Sequence, residues 1–327
     1  MTSLATPGQT TVPEPSADLA SKQDNPTRLH RPVFLMNAPF SYDTSNANNV
    51  WMSDIKDSER VPDAQRAMVQ FLGLYRYLAA EALVYVLPTP RVHGLQDLPF
   101  TANLGIVLEH LPDKNTVVVS NYMSEPRRGE TPVGVRFFES MGYRAVVPQS
   151  RFEGEAELKH LHDNVYVGGY GLRSERQTYE WMERTFDMKV VMLEQSDPYL
   201  YHLDCTIFPL TQKQTLVCTK LYRRDEIKEL ERHTEIIDVP VSVCYAGICN
   251  SVRLNNIILN ASDLHDLRRS SSEYAEEIAK NRLLEDIASL LAFEVSYFNL
   301  SEYHKAGALL SCMIMHLNRF SYRFQMI

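Results

Sequence analysis

Thr116-Val117-Val118-Val119-Ser120, a polar turn from Ser124 to Glu130, a helical stretch from Pro132 to Met141, then Gly142 and Tyr143 to Val147: this run decides the fold. The β-branched run reads as a buried strand. The turn carries Arg127 and Arg128. Gly142 ends the helix by supplying the left-handed residue that a helix C-terminus favours. A new strand follows at once, and a short strand from Ile106 precedes the run. The unit is therefore strand, strand, helix, strand.

The same rhythm extends in both directions. Upstream, Val33-Phe34-Leu35-Met36 is a strand and Asp63 caps a helix. Met68, Phe71, Leu72, Tyr75 and Leu78 fall on one face of that helix. Leu83 to Leu87 is a strand stopped by Pro88 and Pro90. Downstream, Asn164 to Gly168 is a strand, Ser174 caps a helix reaching Phe186, and Lys189 to Leu193 is a strand. Thr215 to Thr219, a helix from Arg224 to His233, and Glu235 to Val239 make the next unit. Asn256 to Asn260 leads to a helix capped by Ser272 and running through Phe293, with Ile278, Leu283, Ile287 and Leu290 inward. Glu294 to Phe298 is a strand, and Leu309-Leu310-Ser311-Cys312-Met313-Ile314-Met315 reads as a last buried strand. The unit recurs about five times at roughly 50–65 residues, a period that signals modular architecture. The fold class is α/β, with small mixed sheets around a pseudo-symmetric axis. A doubly wound sheet is the alternative, but no glycine-rich phosphate loop follows the first strand.

The chain has 327 residues, 44% hydrophobic and 23% charged, with a formal net charge of −8. That balance argues against a nucleic-acid or acidic-membrane binder, which would show a basic face. The five cysteines, Cys205, Cys218, Cys244, Cys249 and Cys312, show no zinc-ribbon spacing. An odd, unpatterned set reads as reduced, which suits the cytosol. His160 and His162 read as surface residues of a polar turn rather than metal ligands. Residues 1–30 are rich in Pro, Ser, Thr, Gln and Asp, and read as a disordered tail. Residues 31–327 then read as a single domain, and no run is long and apolar enough to span a bilayer.

Chemistry-bearing residues gather at strand-to-loop junctions: Asn49, Asp97, Asn103, Arg127 and Arg128, Glu153, Arg173, His202, Asp204 and Cys312. A thiol, a histidine and carboxylates in a reduced chain can form a covalent catalyst. Read alone, Glu153 before a glycine is better taken as a solvated turn acid, and Arg127 and Arg128 are equally an exposed basic pair. In order and in local strings these residues resemble the pentein superfamily of guanidine-modifying enzymes. Asn49-Val50-Trp51-Met52 is similar to that family's Asn-Pro-Trp-Met. Asp97-Leu98-Pro99-Phe100-Thr101-Ala102-Asn103-Leu104-Gly105 resembles the Asp-x-x-Phe-Thr-Ala-Asn-x-Gly of its arginine dihydrolase branch. Phe152-Glu153-Gly154, Gly171-Leu172-Arg173-Ser174, His202-Leu203-Asp204 and Ser301 through Cys312 complete the set. Two strings depart from the pattern. Gly307-Ala308 stands where Gly-Gly is frequent, and Glu155-Ala156-Glu157 where Gly-Asp is frequent.

The resemblance implies a five-bladed α/β propeller of ββαβ units and a cofactor-free, metal-free site for a small guanidino compound. It implies Cys312 as nucleophile, His202 as general acid–base, and Glu153 and Asp204 as acceptors of guanidinium N–H groups. Arg127 or Arg128, with Arg173, would hold the substrate carboxylate, and Asn49 and Asp97 would assist. Asn103, where deiminases of the superfamily carry aspartate, marks the dihydrolase branch. The expected activity is hydrolysis of L-arginine or a relative, to ornithine, carbon dioxide and ammonia, or to citrulline. An amidinotransferase is the alternative, and a non-catalytic pentein-fold binding protein a remote one. Self-association into a homo-oligomer is left open.

Overall fold

The computed structural model describes residues 25–324. Fifteen strands form five three-stranded sheets. In chain order they are β1 (Val33–Met36), β2 (Leu83–Val86), β3 (Gly105–Val107), β4 (Thr116–Val119), β5 (Arg144–Val146), β6 (Leu158–His162), β7 (Val165–Tyr170), β8 (Lys189–Glu194), β9 (Ile207–Pro209), β10 (Gln214–Val217), β11 (Glu235–Asp238), β12 (Val252–Leu254), β13 (Ile257–Ala261), β14 (Glu294–Phe298) and β15 (Met315–His316).

The opening run forms the blade β3-β4-β5. All four residues of β4 are buried, which explains its unbroken β-branched composition. It pairs antiparallel with β3 and parallel with β5. A parallel neighbour needs a crossover, and helix Glu130–Ser140 supplies it. Gly142 follows that helix at φ +83°. The blades β6-β7-β8, β9-β10-β11 and β12-β13-β14 repeat the plan, with crossover helices Arg176–Phe186, Arg224–Leu230 and Ser272–Leu290. The blade β15-β1-β2 takes its antiparallel strand from the other end of the chain, pairing Phe34 with His316 and Leu35 with Met315. The two ends of the described chain thus share one sheet and close the ring. This is the pentein propeller, and the core lies between adjacent blades.

Several local expectations are corrected. Leu309–Met315 is not a continuous strand. It is a 3-10 turn, Ser311–Met313, followed by the two-residue β15. His160 and His162 lie on β6 rather than in a turn, and burial lowers the His160 pKa to about 3. Ser174 does not cap its helix; its Oγ accepts from the Glu153 amide at 3.2 Å, and the helix starts after Glu175. Ser271, not Ser272, caps the long helix, and Leu290 is exposed while Leu284 and Ala288 turn inward. Of the expected tail, residues 1–24 lie outside the described residues. Residues 25–30 are not loose: Asn25 and Thr27 are buried, and Thr27 Oγ1 is 2.8 Å from the Tyr143 hydroxyl. No described helix is long and apolar enough to cross a membrane.

Candidate active site

A short turn precedes the antiparallel strand of each blade. Four are 3-10 turns: Thr101–Asn103 before β3, Gly154–Ala156 before β6, Leu203–Cys205 before β9 and Ser311–Met313 before β15. In the fifth, Cys249, Asn250 and Ser251 lead into β12. The turns bond to one another around the ring. Thr101 Oγ1 donates to the Met313 carbonyl at 3.0 Å, and the Leu203 amide donates to Glu157 Oε2 at 3.3 Å. Ser311 Oγ donates to Asp204 Oδ2 at 2.6 Å, and the Ser311 amide to Asn250 Oδ1 at 2.8 Å. Gly154 takes φ +66°, and a Cβ there would meet the Ala102 carbonyl oxygen at 2.6 Å. Only glycine allows the turns of two blades to touch there, which gives the Phe-Glu-Gly string its physical reason.

The expected residues therefore come from separate blades to one place. His202 Nε2 is 2.7 Å from Glu153 Oε2 and 3.4 Å from Asn103 Nδ2. Cys312 Sγ lies 3.8 Å from Asp204 Oδ2 and 3.6 Å from Asn250 Nδ2. Arg173 Nη1 is 3.6 Å from Glu153 Oε1, its Nη2 donates to the Asn48 carbonyl at 2.6 Å, and its guanidinium lies over the Tyr201 ring. Arg127 is buried, paired to Glu130 at 2.8 Å and laid over Tyr122. Asn49 donates to the Ala306 carbonyl at 2.9 Å, and Asn48 bonds to the Asp97 carboxylate. A narrow cavity of about 20 Å³ is lined by Asn49, Asp97, Asn103, Arg127, Arg173, His202 and Cys312, among others. Glu153 and Asp204, both fully buried, stand behind His202 and beside Cys312 rather than on the cavity wall.

Arg128 is the misplaced residue. It is exposed, and its Nη2 reaches only the Met123 carbonyl at 3.4 Å. The turn Glu125–Arg127 sends two neighbouring arginines to opposite sides, and only Arg127 faces the cavity. Sequence reasoning missed Asn48, Tyr201 and Asn250. Asn250 was legible only as a turn residue before a strand, the position that supplies site residues in the other blades.

Charge follows burial and partners. Burial raises the Glu153 carboxyl, but Arg173 and then His202 outweigh it and hold it at about 2. Burial lowers the His202 imidazole, opposed by its bond to Glu153. Burial, reinforced by Asp204, pushes the Cys312 thiol up to about 12. Glu157 is raised by burial and by the nearby Glu153 charge, so its neutral form is favoured. The site thus holds an ionised glutamate against an imidazole, and a thiol whose protonated form is favoured. Among the described residues, no group of His, Cys, Asp and Glu side chains is placed to hold a metal ion.

The sequence family described as N,N dimethylarginine dimethylhydrolase, eukaryotic, matches residues 37–319. The chain belongs to this family. It is 28% identical over 293 residues to the bifunctional arginine dihydrolase/ornithine cyclodeaminase AgrE of Nostoc, a match covering 87% of this chain and 37% of AgrE. The chain thus spans little over a third of that relative's length. Its fold matches the N-terminal domain of ArgZ, an arginine dihydrolase of cyanobacteria solved with product, at TM-score 0.74 and 26% identity. That match covers 88% of this chain and 97% of the domain. A dimethylarginine dimethylaminohydrolase adduct matches at TM-score 0.60 and 15% identity, covering 88% and 99%, and shares the fold.

Proposed function

We propose that this family member is a cysteine-dependent hydrolase of the guanidino group of L-arginine, with ornithine as the final product. The observation that carries the reading is the meeting of Cys312, Asp204, His202, Glu153 and Asn103 at one end of the propeller. Similarity to the dihydrolases AgrE and ArgZ supports the arginine assignment.

A guanidinium is planar, cationic and resonance-stabilised, so its carbon resists attack by water. The Cys312 thiol, raised by burial and by Asp204, gains the most from an arriving cation. The substrate supplies that cation. The thiolate adds to the guanidino carbon, and ammonia leaves with a proton from His202. His202 then takes a proton from water as the water oxygen adds to the same carbon. The C–S bond breaks, Cys312 regains the thiolate, and a ureido product remains. In the second round Cys312 attacks the ureido carbon, and ornithine leaves as its nitrogen gains a proton. Water cleaves the carbamoyl thioester to carbamate, which gives carbon dioxide and ammonia. The net change is one arginine and two waters to one ornithine, one carbon dioxide and two ammonia. Arg173 and Arg127 hold the substrate carboxylate from the cavity wall, with Asn49 and Asp97 beside them.

Family membership favours one second reading, N,N-dimethylarginine as substrate, with dimethylamine in place of the first ammonia. Amino-acid analysis of products from arginine and from dimethylarginine tests the proposal. Ornithine from arginine is expected. Citrulline alone reduces the activity to a single hydrolysis, and ornithine formed only with an added amine makes the chain an amidinotransferase.

A further inference from the structure

On the other side of the Ala306–Leu309 segment lies a second cleft, of about 270 Å³, and Ala308 lines both it and the candidate active site. One wall is aromatic. The Trp51 ring stands steeply inclined to Tyr199 and Tyr245, at centroid separations of 5.0 and 6.3 Å. Each tyrosine hydroxyl donates to a carboxylate, Tyr199 to Asp54 at 2.7 Å and Tyr245 to Asp197 at 2.6 Å. Negative charge behind a phenol makes its ring face more attractive to a cation.

A second wall is acidic. Glu277 is neutralised by Lys280 at 2.6 Å, but Glu273 and Glu276 have no ion-pair partner among the described residues. The third feature is a histidine held by a carboxylate. His304 Nδ1 meets Asp263 Oδ2 at 2.6 Å, while His304 Nε2 is shielded from solvent and has no hydrogen-bond partner. No lysine or arginine lines the cleft.

We propose that this cleft is a second ligand site that takes an aliphatic amine, with one or two primary ammonium groups and no carboxylate. The aromatic wall and Glu276 suit an ammonium, and Leu267 and Leu309 suit a methylene chain. A carboxylate on the ligand would find no cationic partner and would face unpaired glutamates. The site bears on catalysis through Asn250. Asn250 belongs to the cleft wall, and its side chain accepts from the Ser311 amide and donates to Cys312 Sγ. An occupant therefore acts on the turn that carries the nucleophile.

Calorimetric titration of the full chain with 1,5-diaminopentane tests the site. One molecule is expected to bind per chain. Tyr245→Ala and Glu276→Gln should each weaken binding by about fivefold, the weight of one partly exposed cation–π or charge contact. His202→Ala, in the other cavity, should leave it unchanged. Ornithine, which adds a carboxylate to a similar chain, should bind about tenfold more weakly or worse. Absence of binding at millimolar amine overturns the proposal. So does binding that His202→Ala abolishes and Tyr245→Ala spares, which would put the amine in the active site. Equal affinity for ornithine removes the charge argument and with it the ligand class.

Discussion

Replacing Asn250 by alanine separates the electrostatics of the nucleophile from its anchoring. The side chain performs two tasks: Oδ1 accepts from the Ser311 amide at 2.8 Å, and Nδ2 donates to Cys312 Sγ at 3.6 Å. Loss of the first leaves a buried N–H without an acceptor, which costs about 1–3 kcal/mol of stability. Loss of the second removes a donor to a developing thiolate, worth about 1.5–3 kcal/mol, or about 10- to 150-fold in kcat. Because the amide favours the charged form of Cys312, its removal should also move the alkaline rise of activity to higher pH. Urea unfolding and steady-state kinetics across pH read the two effects separately. A variant less stable than the parent, with the parental kcat and pH profile, would show that Asn250 only pegs the turn. Parental behaviour in both assays would refute the reasoning altogether.

Cys312→Ser should keep its fold by circular dichroism and lose turnover entirely, since a serine hydroxyl at this depth has no comparable route to an anion. Glu153, held at about 2, stabilises the folded state above the ordinary carboxylate range and loses that share as pH falls towards 2. Glu153→Gln should therefore lower the urea midpoint near neutrality, flatten its decline in acid, and abolish activity by freeing His202. Asn103→Asp should shift products from ornithine towards citrulline or stop turnover. An aspartate favours the cationic first substrate and repels the ureido oxygen of the second, and amino-acid analysis decides it.

Much of the propeller is legible because its middle strands are buried on both faces. Thr116–Val119 announces itself by composition alone. Most of the strands that open the blades do not, the one from Ile106 excepted. β6 reads Leu-Lys-His-Leu-His, and its polar residues break the apolar run that would mark a buried strand. β12 and β15 have three and two residues, too few to show any period. The run before β15 misleads for the opposite reason. Apolarity reports that Leu310 to Met315 is buried, not whether the backbone is extended, and Cys312 lies in the bend of a 3-10 turn. At the site, a string such as His202-Leu203-Asp204 names its residues because the spacing itself sets the geometry. Arg127 and Arg128 differ only by which way a short turn throws them, and no local pattern records that.

The charge around the cavity explains why these residues can be buried together. Asp97, Glu130, Glu153 and Asp204 face two guanidiniums, Arg127 and Arg173, in a region where each of the six is nearly or fully buried. The pairs Arg127–Glu130 and Arg173–Glu153 account for two of the carboxylates. Asp204 is held by the Ser311 hydroxyl and Asp97 by Asn48, so both are solvated by neutral donors. Burial raises the thiol, and the Asp204 charge beside it raises it further. Such a site is stable while Cys312 is protonated and becomes unfavourable if the thiol ionises alone. A guanidinium entering the cavity reverses that balance. At about 4 Å and an effective dielectric near 20, one cation offsets about 4 kcal/mol, close to three pKa units. The Asp204 charge that disfavours the thiolate on its own is then balanced by the arriving cation, so the guanidinium of the first round favours the attacking form of Cys312, and the neutral ureido group of the second round must be attacked by the thiolate that the first round has just released.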